Sequence, residues 1–146
     1  MILPDVNVLV YAFRRDRAVY DAYADWLALV AAHEELALVD AVLLGVVRVS
    51  TNPRAFADPA PTTSALDFID ALRSRPSARR LRPTEMTWAC LRTLVARDPA
   101  IRGALVPDAW LAALAISHGA RLATADRGFG RFPGLDFFDP VDPASG

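Results

Sequence analysis

The sequence predicts one α/β domain of three layers, in which helices cover both faces of a central, mainly parallel sheet. Two observations support this prediction. Short apolar segments of strand length alternate with longer segments whose apolar residues recur at helical spacing, which is typical of parallel sheets. The chain also has 146 residues, 53% of them hydrophobic, which suits a single domain with a buried core. We expect the domain to cover residues 1–140 and a frayed tail to cover residues 141–146.

The first half of the chain predicts two strands, each followed by helical segments. In order, these are a strand at 2–5, helices at 6–13 and 19–30, a strand at 36–39 and a helix at 41–50. Both strands are short and apolar, as expected for strands buried on both faces. In the second helix, Tyr23, Leu27 and Val30 are among the apolar residues that share one helical face. Pro53 ends the last helix because the residue before a proline disfavours helical dihedral angles.

The second half predicts three further helices and three further strands. In order, these are a helix at 62–73, a strand at 79–82, helices at 84–97 and 107–118, and strands at 121–124 and 135–138. A proline-rich loop at 57–61 precedes the first of these helices, and a connector at 101–106 precedes the last. Pro107 suits the first position of a helix, and Gly119 suits the left-handed position that follows a helix.

The composition excludes several classes of protein. The only cysteine is Cys90, so an internal disulfide and a cysteine-rich zinc site are excluded, and a reducing cytoplasm is expected. All 16 basic residues are arginine. The absence of lysine excludes Schiff-base enzymes and P-loop NTPases, whose chemistry requires that side chain. No apolar run reaches the length of about 18 residues typical of a membrane span, so no membrane partner is expected.

Four aspartates occupy positions where a parallel sheet places functional residues. Asp5, Asp40 and Asp126 lie at or just after the ends of predicted strands, and Asp108 lies in the first turn of a predicted helix. Ligands of such sheets bind at the carboxyl ends of the strands, and the N-terminus of a helix favours a carboxylate. We therefore expect these four side chains to meet at one edge of the sheet. The alternative for Asp40 is a helix cap without a catalytic role.

A cluster of carboxylates favours a divalent cation as its partner. Neighbouring carboxylates repel one another, so their pKa values rise unless a cation joins them. Mg²⁺ suits such a cluster because it takes oxygen ligands and is held by one or two carboxylates together with water, and Mn²⁺ is an alternative. Carboxylate-bound Mg²⁺ supports the hydrolysis of phosphodiesters. Neither His33, in a polar stretch, nor His118, at a helix C-terminus, is placed to compete.

Several stretches around these aspartates resemble the motifs of one known family. The stretches at 5–9 (DVNVL), 107–115 (PDAWLAALA) and 123–129 (ATADRGF) resemble the opening motif, the third acidic site and the closing motif of PIN-domain proteins. The stretch at 48–54 (RVSTNPR) is similar to one in the VapC branch, the ribonuclease toxins of type II toxin–antitoxin systems. The resemblance covers essentially the whole chain and implies a three-layer PIN-like fold and a Mg²⁺-dependent endoribonuclease that hydrolyses RNA with metal-activated water.

The resemblance also implies roles for individual residues. Asp5 and Asp108 correspond to the principal Mg²⁺ ligands, and Asp126 corresponds to a supporting acidic residue or ligand. Asn7 and Thr124 resemble the polar partners that orient the carboxylates.

One position departs from the family pattern. Many members carry a glutamate where this chain has Gly45. Asp40 lies five residues earlier, about 140° away on a helix, so it can replace that glutamate as a catalytic acid only from the end of the strand. The departure keeps open a second hypothesis, that the chain is a catalytically impaired PIN-like module that binds RNA or a protein. A receiver or phosphatase-like domain is disfavoured because both usually need a lysine.

The expected partners are RNA, a VapB-like antitoxin and a second copy of the chain. The formal net charge is −1, but it becomes positive once bound metal neutralises the negative charges of the four aspartates described above. Arg48, Arg54 and Arg127 are then candidates to bind RNA phosphates, with solvated surface arginines as the alternative. Bulky apolar residues fall on more than one face of several helices, as Leu43 and Leu44 do, which predicts a surface covered by an antitoxin helix or a homodimer partner.

Overall fold

The computed structural model describes residues 1–142, and within that range it contains five strands and six α-helices. The elements are β1 (Ile2–Pro4), α1 (Val6–Phe13), α2 (Tyr20–His33), β2 (Leu36–Leu38), α3 (Asp40–Ser50), α4 (Thr62–Arg73), β3 (Ala78–Arg80), α5 (Glu85–Arg97), α6 (Val106–His118), β4 (Arg121–Ala123) and β5 (Phe137–Phe138). Short 3-10 helices precede α6 (Gly103–Leu105) and follow β4 (Arg127–Arg131). The predicted three-layer α/β/α fold is confirmed.

The sheet is wholly parallel and has β1 at its centre. The strand order is β3-β2-β1-β4-β5, and Ile2 is opposite both Leu36 of β2 and Arg121 of β4. Immediately after β1, the amide of Asp5 donates to the carbonyl of Ala123 over 2.9 Å. Residues that follow β1 and β4 are therefore neighbours at the carboxyl edge of the sheet.

The core lies between the sheet and the helices. All three residues of β1 are buried, as expected for a central strand covered on both faces. Helix α1 packs against α2 and α3, while α5 packs against α6. Within residues 1–142, no helix is both long enough and apolar enough to cross a membrane.

Several predicted boundaries differ from the observed ones. The strands are shorter than predicted; β5 begins at Phe137 because the chain turns just before it, with Gly134 at a φ of 84°. Helix α2 continues to His33, whose Nδ1 donates a hydrogen bond to the carbonyl of Leu29 over 3.0 Å. The left-handed conformation predicted for Gly119 is confirmed, with a φ of 62°.

The predicted tail is only partly described. Val141 packs against the core, and its amide donates to Asp139 Oδ1 over 3.1 Å. The remainder of the predicted frayed tail, residues 143–146, lies outside the described residues.

Candidate active site

Asp5 is held at the junction of the central strand and the first helix. It directly follows β1 and is the N-cap of α1, with extended dihedral angles. Its Oδ1 accepts a hydrogen bond from the amide of Val6 over 2.6 Å. A carboxylate at this position satisfies a free helix amide and lies at the positive end of the helix dipole. The strand end therefore places Asp5, and the helix start fixes one of its two oxygens.

Asn7 and Thr124 fix the other oxygen of Asp5. The Thr124 hydroxyl donates to Asp5 Oδ2 over 2.8 Å, and the Asn7 side-chain amide donates to the same oxygen over 3.0 Å. The Asn7 side-chain carbonyl accepts from the amide of Ala125 over 3.2 Å, which ties α1 to the segment after β4. Because Thr124 is fully buried, this network is shielded from competing water.

Asp126 lies just beyond β4 and is anchored by the backbone around it. Its Oδ1 accepts from the amide of Gly128 over 2.7 Å, and its own amide donates to Thr124 Oγ1 over 3.1 Å. A Cβ atom at position 128 would stand 2.9 Å from that carboxylate oxygen. A glycine is therefore needed at position 128 for the Asp126 carboxylate to keep this conformation.

Asp108 completes a group of three acidic residues that line one cleft. It lies in the first turn of α6 and is half-buried, whereas Asp5 is buried and Asp126 is exposed. The cleft has a volume of about 370 Å³. Its remaining lining residues come from α1, α3 and the loops beside them: Val6, Asn7, Val10, Tyr11, Arg17, Val49, Ala55, Phe56 and Phe129. Three of the four predicted aspartates thus share one cleft.

The surroundings of these carboxylates disfavour their ionised forms. Burial raises the pKa of Asp5, the hydrogen bonds from Thr124 and Val6 lower it, and the charges of Asp108 and Asp126 raise it further, so that it lies above its usual value. Burial also raises the pKa of Asp108, with a further contribution from the charge of Asp126. A bound cation would relieve both effects, since it favours the ionised carboxylates.

The structure does not bring Asp40 into this cleft. Asp40 is the first residue of α3, its side chain is largely exposed, and it forms a salt bridge with Arg80, which ends β3. Its carboxylate points towards the β2–β3 side of the sheet, where it lines a different groove with Leu43 and Arg73. The expectation that all four aspartates meet is corrected to three, because the start of α3 directs Asp40 away from Asp5.

The three arginines predicted to bind phosphate, Arg48, Arg54 and Arg127, do not line the cleft. Arg48 and Arg54 are exposed, and the exposed Arg127 forms a salt bridge of 3.3 Å with Asp142. The arginine that does line the cleft is Arg17. Arg17 lies in the loop between α1 and α2, and no spacing in the sequence indicates that this loop folds over the cleft.

The residues of the cleft suit a hard cation with few protein ligands. Asp5, Asp108, Asp126 and Asn7 present oxygen atoms, which Mg²⁺ and Mn²⁺ prefer. In the part of the chain that the structure describes, no three His, Cys, Asp or Glu side chains form a complete metal-binding group. Sites for Mg²⁺ often use only one or two carboxylates, with water and substrate oxygens supplying the rest.

Comparison with known proteins identifies the family. The model of the PIN domain matches residues 2–135. Ribonuclease VapC43 of Mycobacterium tuberculosis is 43% identical over 97% of this chain and 97% of its own length. The chain belongs to the VapC family of PIN-domain proteins. Ribonuclease VapC25 of the same organism is a more distant member, 33% identical over 96% of this chain and 99% of its own.

Solved structures of the VapC family agree with the fold. VapBC2 from Rickettsia felis, crystallised with a DNA fragment from its promoter, matches with a TM-score of 0.67 and 25% identity over 95% of this chain and 98% of that one. VapBC-1 from nontypeable Haemophilus influenzae matches with the same TM-score and 18% identity over 97% of this chain and 100% of that one, which supports the fold alone. The resemblance drawn from the sequence motifs is confirmed.

Proposed function

We propose that this protein is a divalent-metal-dependent endoribonuclease and the toxin of a type II toxin–antitoxin system. One observation carries the proposal. Asp5, Asp108 and Asp126 come from the end of β1, the start of α6 and the end of β4, and they converge on one cleft in a chain 43% identical to a protein named a ribonuclease. These acidic residues come from three distant segments and meet at the carboxyl edge of the sheet, where such folds bind their ligands. This arrangement favours a catalytic site over three unrelated caps of helices and turns.

In this proposal, Asp5 and Asp108 hold the cation, Mg²⁺ or Mn²⁺, and Asp126 supports them. A bound divalent cation supplies Lewis acidity, which stabilises charge on a phosphodiester and makes water a better nucleophile. Asn7 and Thr124 act as positioning residues because they fix Asp5 Oδ2, while the amide of Val6 fixes Oδ1. The carboxylate therefore has a set orientation before any substrate binds.

The remaining walls of the cleft are suited to an extended, anionic substrate. The lining of the cleft includes Asp5, residues of α1 from Val6 to Tyr11, and Arg17 in the loop after α1. It is a shallow site bordered by loops and not an enclosed cavity, so a single-stranded segment of RNA can lie along it. Unpaired segments are also the usual targets of sequence-specific RNA recognition, because their bases are accessible.

A VapB-like antitoxin is the proposed protein partner. The matched structures from R. felis and H. influenzae are described as VapBC complexes. An antitoxin that covers the cleft would silence the enzyme by excluding RNA. The proposal therefore predicts that cleavage is observed with the isolated chain and is lost when the antitoxin is added in equimolar amount.

Substitution of the two principal ligands tests the proposal. Asp5→Asn and Asp108→Asn should each abolish RNA cleavage in Mg²⁺ while preserving the circular dichroism spectrum, because an amide is a neutral near-isostere of the carboxylate. Addition of EDTA to the wild type should have the same effect. Asp70→Asn, which removes an exposed carboxylate on α4, is the matched control and should cleave at the wild-type rate. Wild-type cleavage by Asp5→Asn or Asp108→Asn would disprove these roles.

A catalytically impaired module that binds RNA or a protein is the second candidate. Two observations favour it: Gly45 stands in place of the glutamate of many family members, and Asp40 does not replace that carboxylate in the cleft. The same assay separates the two candidates. An impaired module would bind RNA but would show no cleavage that depends on added Mg²⁺ or Mn²⁺.

A further inference from the structure

The loop between α1 and α2 carries two arginines that lie over the ring of one phenylalanine. The guanidinium carbon of Arg14 lies 4.2 Å from the centre of the Phe56 ring, and that of Arg17 lies 4.6 Å from the same centre. Phe56 itself is buried. These contacts are within the range of cation–π attraction, which favours the position of each guanidinium over the ring. We refer to Arg14, Phe56 and Arg17 as the arginine stack.

The two arginines of the stack differ in how their charges are compensated. Arg14 is buried, and its guanidinium donates to both carboxylate oxygens of Asp16, each over 2.9 Å. It also donates to the carbonyl of Asp58 over 2.6 Å. The hydrogen bonds from Arg14 hold the pKa of Asp16 below its usual value. Arg14 is therefore a structural residue that joins two loops, and its hydrogen-bonding capacity is largely used.

Arg17 keeps its hydrogen-bonding edge available. Its side chain is exposed, and within residues 1–142 it forms neither a side-chain hydrogen bond nor a salt bridge. The nearby Asp16 is already engaged by Arg14 through both oxygens. Stacking on Phe56 leaves the N–H groups at the rim of the guanidinium free to bind a planar or tetrahedral anion through two hydrogen bonds.

Arg17 and the acidic group occupy the same cleft but different ends of it. Asp5 directly precedes α1 and Arg17 lies in the loop after it, and the eight residues of α1 span about 12 Å at 1.5 Å per residue. The two backbone positions therefore lie beyond opposite ends of one helix, which allows the two side chains to contact different phosphates of one strand. The three aspartates provide negative charge for a cation, and Arg17 provides positive charge for the RNA backbone. Local charges of this kind explain how a chain of net charge −1 can hold RNA.

We propose that Arg17, held by Phe56 and Arg14, is an RNA-binding residue that holds a phosphate flanking the one at the acidic group. The inference rests on the proposed function for the identity of the anion. In this proposal Arg17 contributes to substrate binding and not to the chemical step, because α1 stands between its backbone and that of Asp5. The arginines predicted from the sequence, Arg48 and Arg54, do not line the cleft and are not part of this contact.

Binding of RNA without cleavage provides the test. A short fluorescein-labelled single-stranded RNA is titrated with protein in EDTA, and fluorescence anisotropy is measured over a range of salt concentrations. Arg17→Gln should weaken binding about five- to tenfold, as expected for one charge-assisted contact at a surface. It should also reduce the dependence of log affinity on log salt by about 0.7, the contribution of one phosphate contact to a single strand. Arg17→Lys should restore the salt dependence but only part of the affinity, because lysine lacks the planar edge.

The matched control removes the same charge from another surface. Arg92 is exposed on α5 and does not line the cleft, so Arg92→Gln should bind as the wild type does. In cleavage assays with Mg²⁺, Arg17→Gln should raise KM and leave kcat within about twofold. Unchanged affinity and salt dependence in Arg17→Gln, or an equal loss in Arg92→Gln, would overturn the inference.

The outcomes distinguish the inference from the proposed function. If Asp108→Asn abolishes cleavage and Arg17→Gln still binds RNA normally, the proposed function stands and the inference fails. If no variant or condition gives cleavage but RNA binding still depends on Arg17, the inference stands and the impaired module replaces the nuclease. If the wild type binds no RNA in EDTA and the cleavage-deficient Asp108→Asn binds none in Mg²⁺, the role of Arg17 is excluded.

Discussion

At the scale of single residues, Asp5 shows how a buried carboxylate is kept ready for a cation. Three donors contact its two oxygens: the amide of Val6 and the side chains of Asn7 and Thr124. These bonds favour the ionised form, but burial outweighs them, and the net effect is a raised pKa. The site thus fixes the geometry of the carboxylate while leaving its charge only partly compensated. A divalent cation supplies the missing compensation.

The raised pKa of Asp5 predicts how the stability of the metal-free protein depends on pH. Asp5 releases its proton near pH 3.8 in the unfolded chain but at higher pH in the folded one. Its ionisation therefore destabilises the folded state progressively as pH rises through this window, and the cost is absent below pH 3.8. In EDTA, the Tm of Asp5→Asn relative to wild type should increase as pH is raised from about 4 to about 7.

Thermal unfolding followed by circular dichroism measures this difference. Because Asn changes the hydrogen bonds to Thr124 and Asn7 at every pH, the informative quantity is the slope of the difference with pH and not its value at one pH. A constant difference in Tm across the range would contradict a raised pKa for Asp5.

Asp40 gives a second prediction at this scale. Its side chain is largely exposed and pairs with Arg80 outside the cleft. Asp40→Ala should leave RNA cleavage within about twofold of wild type and lower the free energy of unfolding by about 0–1 kcal/mol, as exposed ion pairs do. Cleavage assays and urea unfolding on the same preparation measure both effects. A loss of about 100-fold in activity, equivalent to about 3 kcal/mol in the barrier, would restore Asp40 to the catalytic group.

The sequence could predict the positions of these aspartates on the sheet but not the directions of their side chains. The rule for strand ends places Asp5, Asp40 and Asp126 at the same edge, and it brings two of the three into the cleft. Asp40 differs because it is the first residue of a helix, and its carboxylate faces Arg80. Arg17 was missed for a related reason: its place in the cleft depends on tertiary packing of a loop against Phe56.

At the scale of elements, the close approach of α1 and α3 explains the glycine that departs from the family pattern. Gly45 is buried in α3, and a Cβ atom there would stand 2.7 Å from Cγ2 of Val6 in α1. Val6 also lines the cleft, directly after Asp5. Position 45 therefore faces the element that carries the site, but it has no room for a side chain as α1 and α3 are packed here.

This packing predicts whether a substitution at Gly45 raises or lowers the free energy of unfolding. Alanine in place of glycine stabilises an exposed helix by about 1 kcal/mol. Here Gly45→Ala should instead destabilise the protein by about 1–3 kcal/mol, because the short, branched side chain of Val6 can move away only by shifting α1. Urea unfolding gives the change in free energy. The double variant Gly45→Ala, Val6→Ala should recover part of the loss, and a stabilised single variant would show that the two helices separate easily.

The elements that were easiest to predict are those with the strongest burial. Strands β1 and β2 consist of buried residues, and their apolar runs indicated them directly. Strand β3 is at the edge of the sheet and contains Arg79 and Arg80, so its bounds were predicted one to two residues too late. Short polar edge strands are specified by pairing with a neighbour, which leaves little local signal.

At the scale of the whole molecule, exposed apolar side chains lie next to other apolar groups on two surfaces. Leu44 of α3 and Leu66 of α4 are 69% and 48% exposed and border one groove. Trp88 of α5 is 56% exposed, and its ring centre lies 4.5 Å from that of Trp110 of α6. Leu43, which was predicted with Leu44 to lie on such a surface, is buried. The prediction of a covered surface therefore narrows to these two patches.

The last prediction is that the isolated chain forms a homodimer through one of these two patches. Exposed apolar groups that adjoin one another are costly to leave in water, and a second copy of the chain is the partner always present in a purified sample. Light scattering coupled to size exclusion should give the mass of two chains at micromolar concentration. Leu44→Ser or Trp88→Ser should shift the mass to that of one chain, whereas Leu29→Ser, which removes an exposed leucine of α2 outside both patches, should not. A monomeric wild type whose solubility does not improve on co-expression with the antitoxin would contradict both a dimer and a covered surface.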